Sequence, residues 1–234
     1  MAGKRKRADP SSTAKSASAR RKEPAKANPE PEKAEPRKSL LEGIAKQFNN
    51  PDHADVKIHI GKYELPAHSL VLASQSPFFQ TALNGNFREG KEKMFQFDEA
   101  DGQPYWRTFE YMYTGNYAEE PAQVLNVRDG NNLVKHARVY FAAEFFMIDN
   151  LKQLALERFK SKLGPDWVCD ELVACIREIY KNTTESETGL RRAVVEAAHK
   201  SGPELWQKKE FRDLVSEGGD FAVDMMGIST GWQR

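Results

Sequence analysis

LPAHSLVLASQSPFF, residues 65–79, is the densest apolar stretch of this 234-residue chain. Pro66 stands near its start, and Pro77 ends the first helical segment because proline cannot continue a helix. The apolar side chains of the stretch recur at roughly helical spacing, which predicts short helices with one buried surface. That surface comprises Leu70, Leu72, Ala73, Phe78 and Phe79.

The residues before this stretch alternate between apolar and polar side chains. In DVKIHIGKYEL, residues 55–65, every second position is taken by Val56, Ile58 and Ile60. This period of two is typical of a strand with one buried face, and Gly61-Lys62 is typical of a tight reversal. The sequence therefore predicts a β-hairpin that leads into the first helix.

A short amphipathic helix is predicted ahead of the hairpin. Ser39 is a suitable N-cap residue, and the Asn49-Asn50-Pro51 run ends the helix. Its apolar face consists of Leu40, Leu41, Ile44 and Phe48. Such a face needs a partner, so the helix packs either on its own domain or on a second copy of the chain.

The rest of the chain is predicted to be helical, with one further strand. A second short helix leads into a loop at residues 87–90 and a strand at residues 93–98. An aromatic-rich helix then ends at Gly115, and helical periodicity resumes over residues 131–163. Gly164-Pro165 is a clear break. Beyond it, amphipathic helices are predicted at residues 166–180, 190–199, 203–215 and 220–228.

The first 38 residues differ sharply in composition from the rest. They contain twelve Lys and Arg against five Asp and Glu, and no Val, Leu, Ile, Phe, Trp or Tyr. Without large apolar side chains a segment cannot offset its conformational entropy by burial, so a disordered basic arm is predicted. Its basic run of Lys4, Arg5, Lys6 and Arg7 fits a nuclear import signal and a solubilising tail equally well. Weak, non-specific contact of this arm with nucleic acid is a third interpretation.

The sequence lacks the patterns of catalytic and metal-binding sites. Cys169 and Cys175 are six positions apart on one predicted helix, so they face different sides, and they lack zinc-site spacing. No serine stands in a G-x-S-x-G turn, and no histidine pair has metalloprotease spacing. We therefore expect no enzymatic activity, no cofactor and no metal ion. The absence of a long apolar run predicts an intracellular protein, in the nucleus or the cytoplasm, without a membrane partner.

Four motifs, in this order and at these separations, resemble the BTB/POZ domain. They are Asp55 to Ile58 (DVKI), Leu65 to Ser74 (LPAHSLVLAS), Phe109 to Gly115 (FEYMYTG) and Ala143 to Leu151 (AEFFMIDNL). The resemblance implies an α+β fold, with a small sheet and a cluster of short helices, followed by an all-helical extension like that of many fungal members. Residues 1–38 then form the basic arm, residues 39–163 the BTB/POZ domain and residues 164–234 the extension.

The resemblance also implies a protein-interaction adaptor and not an enzyme. BTB domains typically homodimerise through the helix before the first strand, which places Leu41, Ile44 and Phe48 at the dimer interface. Many members recruit a cullin scaffold of a ubiquitin ligase complex through an apolar-x-Glu triplet. Here Phe87 would fill a pocket of the scaffold, and Glu89 would orient on polar groups at its rim.

Two functional hypotheses follow from the resemblance. In the first, the homodimer links a cullin scaffold to an unknown substrate protein. In the second, the chain is a nuclear regulatory or scaffold protein whose BTB domain only oligomerises, while the basic arm serves import or chromatin proximity.

Overall fold

Three short strands form a mixed sheet in the computed structural model, which describes residues 36–85, 87–97, 102–163 and 170–231. The strands are β1 (Val56–Ile60), β2 (Tyr63–Ala67) and β3 (Met94–Phe97). Their order is β2–β1–β3, with β1 antiparallel to β2 and parallel to β3. Both β2 and β3 are therefore edge strands of this sheet.

The hairpin expected from the alternating pattern is present. Val56, Ile58 and Ile60 are buried, and Gly61 adopts a positive φ of 58° at the reversal. A side chain is disfavoured in this conformation, which accounts for glycine at the turn. Pro66 lies inside β2, at a sheet edge that tolerates a missing N–H, and not at the start of a helix.

Seven α-helices accompany the sheet within the described part of residues 36–163. They are α1 (Pro36–Ala45), α2 (Ser69–Gln75), α3 (Pro77–Asn84), α4 (Arg88–Glu92), α5 (Gly102–Thr114), α6 (Val134–Phe145) and α7 (Asp149–Lys162). Their arrangement with the sheet gives the expected α+β fold. The predicted C-terminal glycine of α5 is confirmed, because Gly115 has a φ of 71° and its N–H binds the Tyr111 carbonyl oxygen.

Two predictions about helix boundaries are corrected. Helix α1 includes Pro36, so Ser39 lies within the helix and is not its N-cap. The segment at residues 87–90 is not a loop, since most of it belongs to α4. A four- or five-residue helical turn carries too little periodic signal to be recognised in a sequence.

The prediction that Leu70 belongs to the core is wrong. Leu70 is 81% exposed, whereas Leu72 and Phe79 are buried. Helix α2 stops at Gln75, and Ser76 has an extended backbone, so α3 begins with a new rotational phase. The five apolar residues of the stretch therefore do not share one helical face.

An aromatic cluster forms the core between the sheet and the helices. Phe79, Phe109 and Phe146 are fully buried, and the rings of Phe79 and Phe146 stack with centroids 5.3 Å apart. Phe95 of β3 contacts Phe79 edge-on at 5.0 Å. Packed aromatic pairs of this kind stabilise a core beyond their buried area. The cluster thus ties α3, α5 and β3 to the junction between α6 and α7.

The helical periodicity of residues 131–163 is interrupted by an elbow, which we define as Phe146–Ile148, between α6 and α7. Met147 in the elbow has a φ of 57°. The hydroxyl of Ser76 donates to the Phe146 carbonyl oxygen at 2.7 Å and accepts the Phe79 N–H at 3.3 Å. One buried side chain therefore caps α3 and also binds the elbow.

Five helices follow in the described part of the extension. They are α8 (Asp170–Asn182), α9 (Thr188–Lys200), α10 (Gly202–Trp206), α11 (Lys209–Ser216) and α12 (Asp220–Thr230). The single helix predicted over residues 203–215 is in fact two, α10 and α11. Buried side chains of α8 and α9, including Leu172, Ile176 and Val194, are continuous with the core of the preceding domain.

Ionic contacts join the extension to α6 and α7. Lys152 of α7 forms ion pairs with Glu144 of α6 and with Glu187, whose carboxylate also accepts the Tyr140 hydroxyl at 2.8 Å. Hydrogen bonds from Lys152 to both carboxylates outweigh its burial and raise its pKa. We call Lys152, Glu144, Glu187 and Tyr140 the lysine cluster.

Several sequence predictions lie outside the described residues. They include the disorder of residues 1–35 of the basic arm, the run from Lys4 to Arg7, and Cys169. Residues 36–38, also predicted to be disordered, instead belong to α1. Cys175 is buried, and burial raises the pKa of its thiol to about 12. None of the described helices is both long and apolar enough to span a bilayer, and no group of metal-binding side chains occurs among the described residues.

Candidate functional site

A groove of about 680 Å³ lies beside β3. Helices α3 and α4 contribute side chains to one part of it, and all four residues of β3 line it. Phe145 and Met147, at the end of α6 and in the elbow, contribute the remaining apolar surface. The groove is thus built from elements that the aromatic cluster holds together.

Exposed apolar side chains are concentrated in this groove. Phe87, Met94, Phe145 and Met147 are each between 42% and 61% exposed. A cluster of exposed apolar side chains on a folded surface is typical of a protein interaction site. Methionine adds a flexible side chain that adapts to the shape of a partner.

Phe87 lies at the start of α4, where it occupies the N-cap position. It is 61% exposed and lines the groove. Its ring lies over Gly85, since a Cβ at Gly85 would come within 2.9 Å of Phe87 Cδ2. The missing side chain at Gly85 therefore leaves room for this orientation of the aromatic ring.

Glu89 lies in the first turn of α4, on the rim of the groove. Its exposed side chain makes no hydrogen bond or ion pair with another described residue, whereas Arg88 forms an ion pair with Glu92 at 2.9 Å. The Glu92 carboxylate raises the pKa of the Arg88 guanidinium. With Arg88 and Glu92 neutralising each other, Glu89 supplies the net negative charge of this rim.

Gly90 determines how closely α4 approaches α3. It is buried, and a Cβ at this position would lie 2.1 Å from the Ala82 carbonyl oxygen. Any side chain would collide with backbone, so α4 contacts α3 only because residue 90 is glycine. This contact places Phe87 and Glu89 on the same groove.

The groove also contains Phe145 and Met94, whose exposure the sequence analysis did not predict. Phe145 and Phe146 are adjacent, so a helix can direct only one of them inward, and Phe146 is the buried one. Alternation along β3 likewise turns Met94 outward when Phe95 is buried.

Helix α1 presents a second apolar surface. Leu41 is exposed, as is the neighbouring Leu40. Ile44 and Phe48 are half-buried against the core of their own chain, and the Phe48 ring contacts Trp106 at 5.0 Å and Tyr113. Of the three predicted interface residues, Leu41 is therefore exposed to solvent, whereas Ile44 and Phe48 pack within their own chain.

The polar groups around α2 serve to fix its position. His68 Nδ1 lies 3.0 Å from the Tyr113 hydroxyl, and His68 Nε2 lies 2.9 Å from the Asp52 carbonyl oxygen. Asp55 accepts from the backbone N–H and the hydroxyl of Ser69 at 2.8 and 2.7 Å. These groups bind one another and the backbone, and so hold the start of α2 against α5 and the residues before β1.

Comparison with known proteins identifies the domain. The family model described as the BTB/POZ domain matches residues 44–163. Kelch-like protein 38 from Mus musculus is 30% identical over 128 residues, which are 53% of this chain and 21% of that protein. Kelch-like protein 3 from Danio rerio is 37% identical over 73 residues, which are 30% of this chain and 12% of that protein. In both cases the chain spans only a minor part of the relative.

A solved structure, the BTB domain of zebrafish PATZ1, is also similar, with a TM-score of 0.40 and 18% identity. That match covers 53% of this chain and 90% of the PATZ1 domain. The family model itself spans just over half of the chain, from Ile44 in α1 to Leu163 after α7, and includes the entire groove. The chain belongs to the BTB/POZ domain family.

Proposed function

We propose that this chain is a non-enzymatic, dimerising BTB adaptor that binds a cullin scaffold through Phe87 and Glu89. A BTB/POZ domain is a protein-interaction module, and the apolar-x-Glu triplet is the feature by which many members recruit cullins. The observation that carries the proposal is the placement of Phe87 and Glu89 on one groove with exposed apolar walls. A substrate protein would then be bound elsewhere on the chain.

The groove has the composition expected of a binding hot spot. Phe87 offers a large apolar side chain, and Glu89 offers an exposed carboxylate that makes no hydrogen bond or ion pair with another described residue. An aromatic anchor that enters a pocket, with a charged group at the rim, is the usual arrangement at the centre of a protein interface. Phe78 and Phe145, whose ring centroids are 5.1 Å apart, extend the apolar surface around it.

The test is a calorimetric titration of the chain with the N-terminal domain of a cullin. Phe87→Ala is expected to weaken binding about 30-fold, the effect of losing a hot-spot residue worth about 2 kcal/mol. Glu89→Gln should weaken it less, because it removes only the charge. Met226→Ala is the matched control, since Met226 is 64% exposed on α12 and lies outside the groove. Equal affinity of wild type and Phe87→Ala would contradict the proposal.

We further propose that α1 and the turn after it contribute Leu41, Ile44 and Phe48 to a two-fold interface. A two-fold contact uses the same patch on both copies, and exposed Leu40 and Leu41 supply such an apolar patch. Ile44 and Phe48 support it by fixing α1 on α5. On this basis Leu41 makes the contact and the other two position it.

Light scattering across a dilution series tests the dimer. Leu41→Asp is expected to give a folded monomer, because the side chain is exposed and its replacement removes only the contact between copies. Ile44→Asp should also separate the copies, but at a cost in stability, since Ile44 packs on its own core. Met226→Asp should leave the mass unchanged. A monomeric wild type would exclude the dimer but would not contradict the proposed cullin contact.

The alternative function, a nuclear scaffold whose BTB domain only oligomerises, rests on the basic clusters at residues 4–7 and 20–22. A fluorescent reporter fused to residues 1–38 should concentrate in nuclei if these clusters act as an import signal. Replacing Lys4, Arg5, Lys6 and Arg7 by alanine should abolish that concentration. An even distribution of the unaltered fusion would reject the import role.

A further inference from the structure

The outer edge of β3 is unpaired in the described part of the chain. The Lys93 carbonyl oxygen accepts the N–H of Lys57 in β1 at 2.9 Å, and the Phe97 carbonyl oxygen accepts the N–H of Gly61 at 3.1 Å. Backbone groups alternate in direction along a strand, so the N–H and C=O of Met94 and Gln96 point away from β1. These groups have no backbone partner among the described residues.

Two features that often block an exposed sheet edge, proline and charged side chains, are missing from β3, whose sequence is MFQF. Met94 and Gln96 are exposed, while Phe95 is buried and anchors the strand. The strand therefore presents two N–H and two C=O groups at a fixed spacing to any segment that lies alongside it.

The same edge borders the apolar groove. All of β3 lines the groove, together with Phe78, Phe145 and Met147. A segment paired with β3 would direct alternate side chains to one face of the sheet, where an apolar one can enter between these residues. The net negative charge of Glu89 at the rim favours a lysine or arginine further along the segment.

We propose that this groove binds an extended segment of a partner protein, which adds a fourth strand to the sheet at β3. The segment carries an apolar side chain for the groove and a basic one for Glu89. An α-helix cannot occupy the edge in this way, because its backbone hydrogen bonds are already made internally. Main-chain pairing combined with pockets for alternate side chains is the established physical mode of strand addition. The cullin contact does not require this binding, but the two ligands share Glu89 and compete.

The probe is a blocked synthetic hexapeptide, Thr-Phe-Thr-Leu-Thr-Lys, titrated into the full chain and followed by NMR. Gln96→Pro removes the outward N–H and leaves the pairing with β1 intact, so it should weaken binding at least tenfold. Gln96→Ala keeps the N–H and is the matched control, with affinity expected within twofold of wild type. A peptide of the same composition without the alternation should not bind.

Amide hydrogen exchange in the unaltered chain gives a second measure that does not depend on how Gln96→Pro folds. The amides of Met94 and Gln96 should exchange at least tenfold more slowly when the peptide is bound, because each gains an acceptor. Binding without this protection, or no binding by wild type, would overturn strand addition. Cullin affinity measured on the chain without peptide separates the two proposals, since either can fail alone.

Discussion

A hydrogen atom in place of a side chain at Gly90 allows α4 to lie against α3. Phe87 and Glu89 stand on either side of the first residue of α4, so their positions depend on this contact. The triplet proposed to bind a cullin and the glycine that follows it therefore act as one structural unit. Changing residue 90 should affect binding without altering either contact residue.

Gly90→Ala is expected to destabilise the chain by about 1–3 kcal/mol, because the added carbon collides with the Ala82 carbonyl and α4 must move. The midpoint of urea unfolding should fall with an unchanged slope. Cullin affinity should fall as well. The control is Gly43→Ala in exposed α1, where nothing lies within 4 Å and alanine should stabilise the helix by about 0.5–1 kcal/mol. Equal effects of the two substitutions would refute the packing argument.

Asp55 shows how a single carboxylate links three elements. It accepts two hydrogen bonds from Ser69 at the start of α2 and one from Lys93 at the start of β3, at 2.6 Å. Burial raises the pKa of Asp55, but the hydrogen bonds from Lys93 and Ser69 prevail and lower it from 3.8 to about 2. The ionised form is therefore favoured more strongly in the folded chain than in the unfolded one.

This shift predicts the pH dependence of stability. The contribution of Asp55 is fully present above its unfolded pKa of 3.8 and is lost as the pH falls towards 2. Asp55→Asn should therefore destabilise the chain at pH 6, and the difference from wild type should shrink between pH 4 and pH 2. Urea midpoints measured at each pH provide the test. A difference that stays constant across this range would show that the carboxylate charge plays no part.

At the scale of elements, the lysine cluster connects helices that lie far apart in the chain. Lys152 on α7 holds Glu144 at the end of α6 and Glu187 just before α9. The Lys152 side chain is only 17% exposed. Removing its charge would therefore deprive both carboxylates of a partly buried cationic partner. The extension is thereby fixed on the two helices that lead from the elbow.

Lys152→Met preserves the length of the side chain and removes its charge. We expect a loss of about 2 kcal/mol, the range for hydrogen bonds to charged groups, and faster amide exchange in α9. Lys209→Met is the control, because Lys209 forms an exposed pair with Asp213 one turn along α11 and should show no measurable change. Unaltered exchange in α9 would mean that apolar packing alone holds the extension.

Local sequence signals were sufficient to predict the hairpin and the end of α5. Each depends on neighbours in the chain: alternation at Val56, Ile58 and Ile60, and a left-handed glycine at position 115. The exposure of Leu70 and the outward side chain of Phe145 were not predictable, because they depend on the break at Ser76 and the elbow. Both breaks are stabilised by contacts across about 70 residues of sequence, which no local pattern records.

At the scale of the whole molecule, the BTB domain and the extension share one hydrophobic core. Buried residues from β1 to α12 form a continuous cluster, and Arg138 of α6 binds Glu178 of α8 through two hydrogen bonds of 2.5 and 3.0 Å. The proposed division at residue 163 therefore separates segments by sequence but not by packing.

Residues 36–234 should accordingly unfold in a single cooperative transition. Far-UV and near-UV circular dichroism are expected to give the same midpoint, because no part of a shared core can be lost separately. A chain cut after Leu163 should unfold at a lower urea concentration, since its α6 and α7 lose their packing against α8 and α9. Two resolved transitions in the longer chain would instead establish an independent C-terminal domain.

The Ser76 hydroxyl has a consequence for the rate at which partners bind. This hydroxyl joins the start of α3 to the Phe146 carbonyl oxygen in the elbow. Phe78 and Phe145, which lie next to these two points, therefore cannot move apart without breaking a buried hydrogen bond. The groove is therefore already open before a partner arrives, and encounter is not followed by a slow rearrangement. Association should be a single exponential whose rate rises linearly with partner concentration, and differences between partners should appear in how long they remain bound.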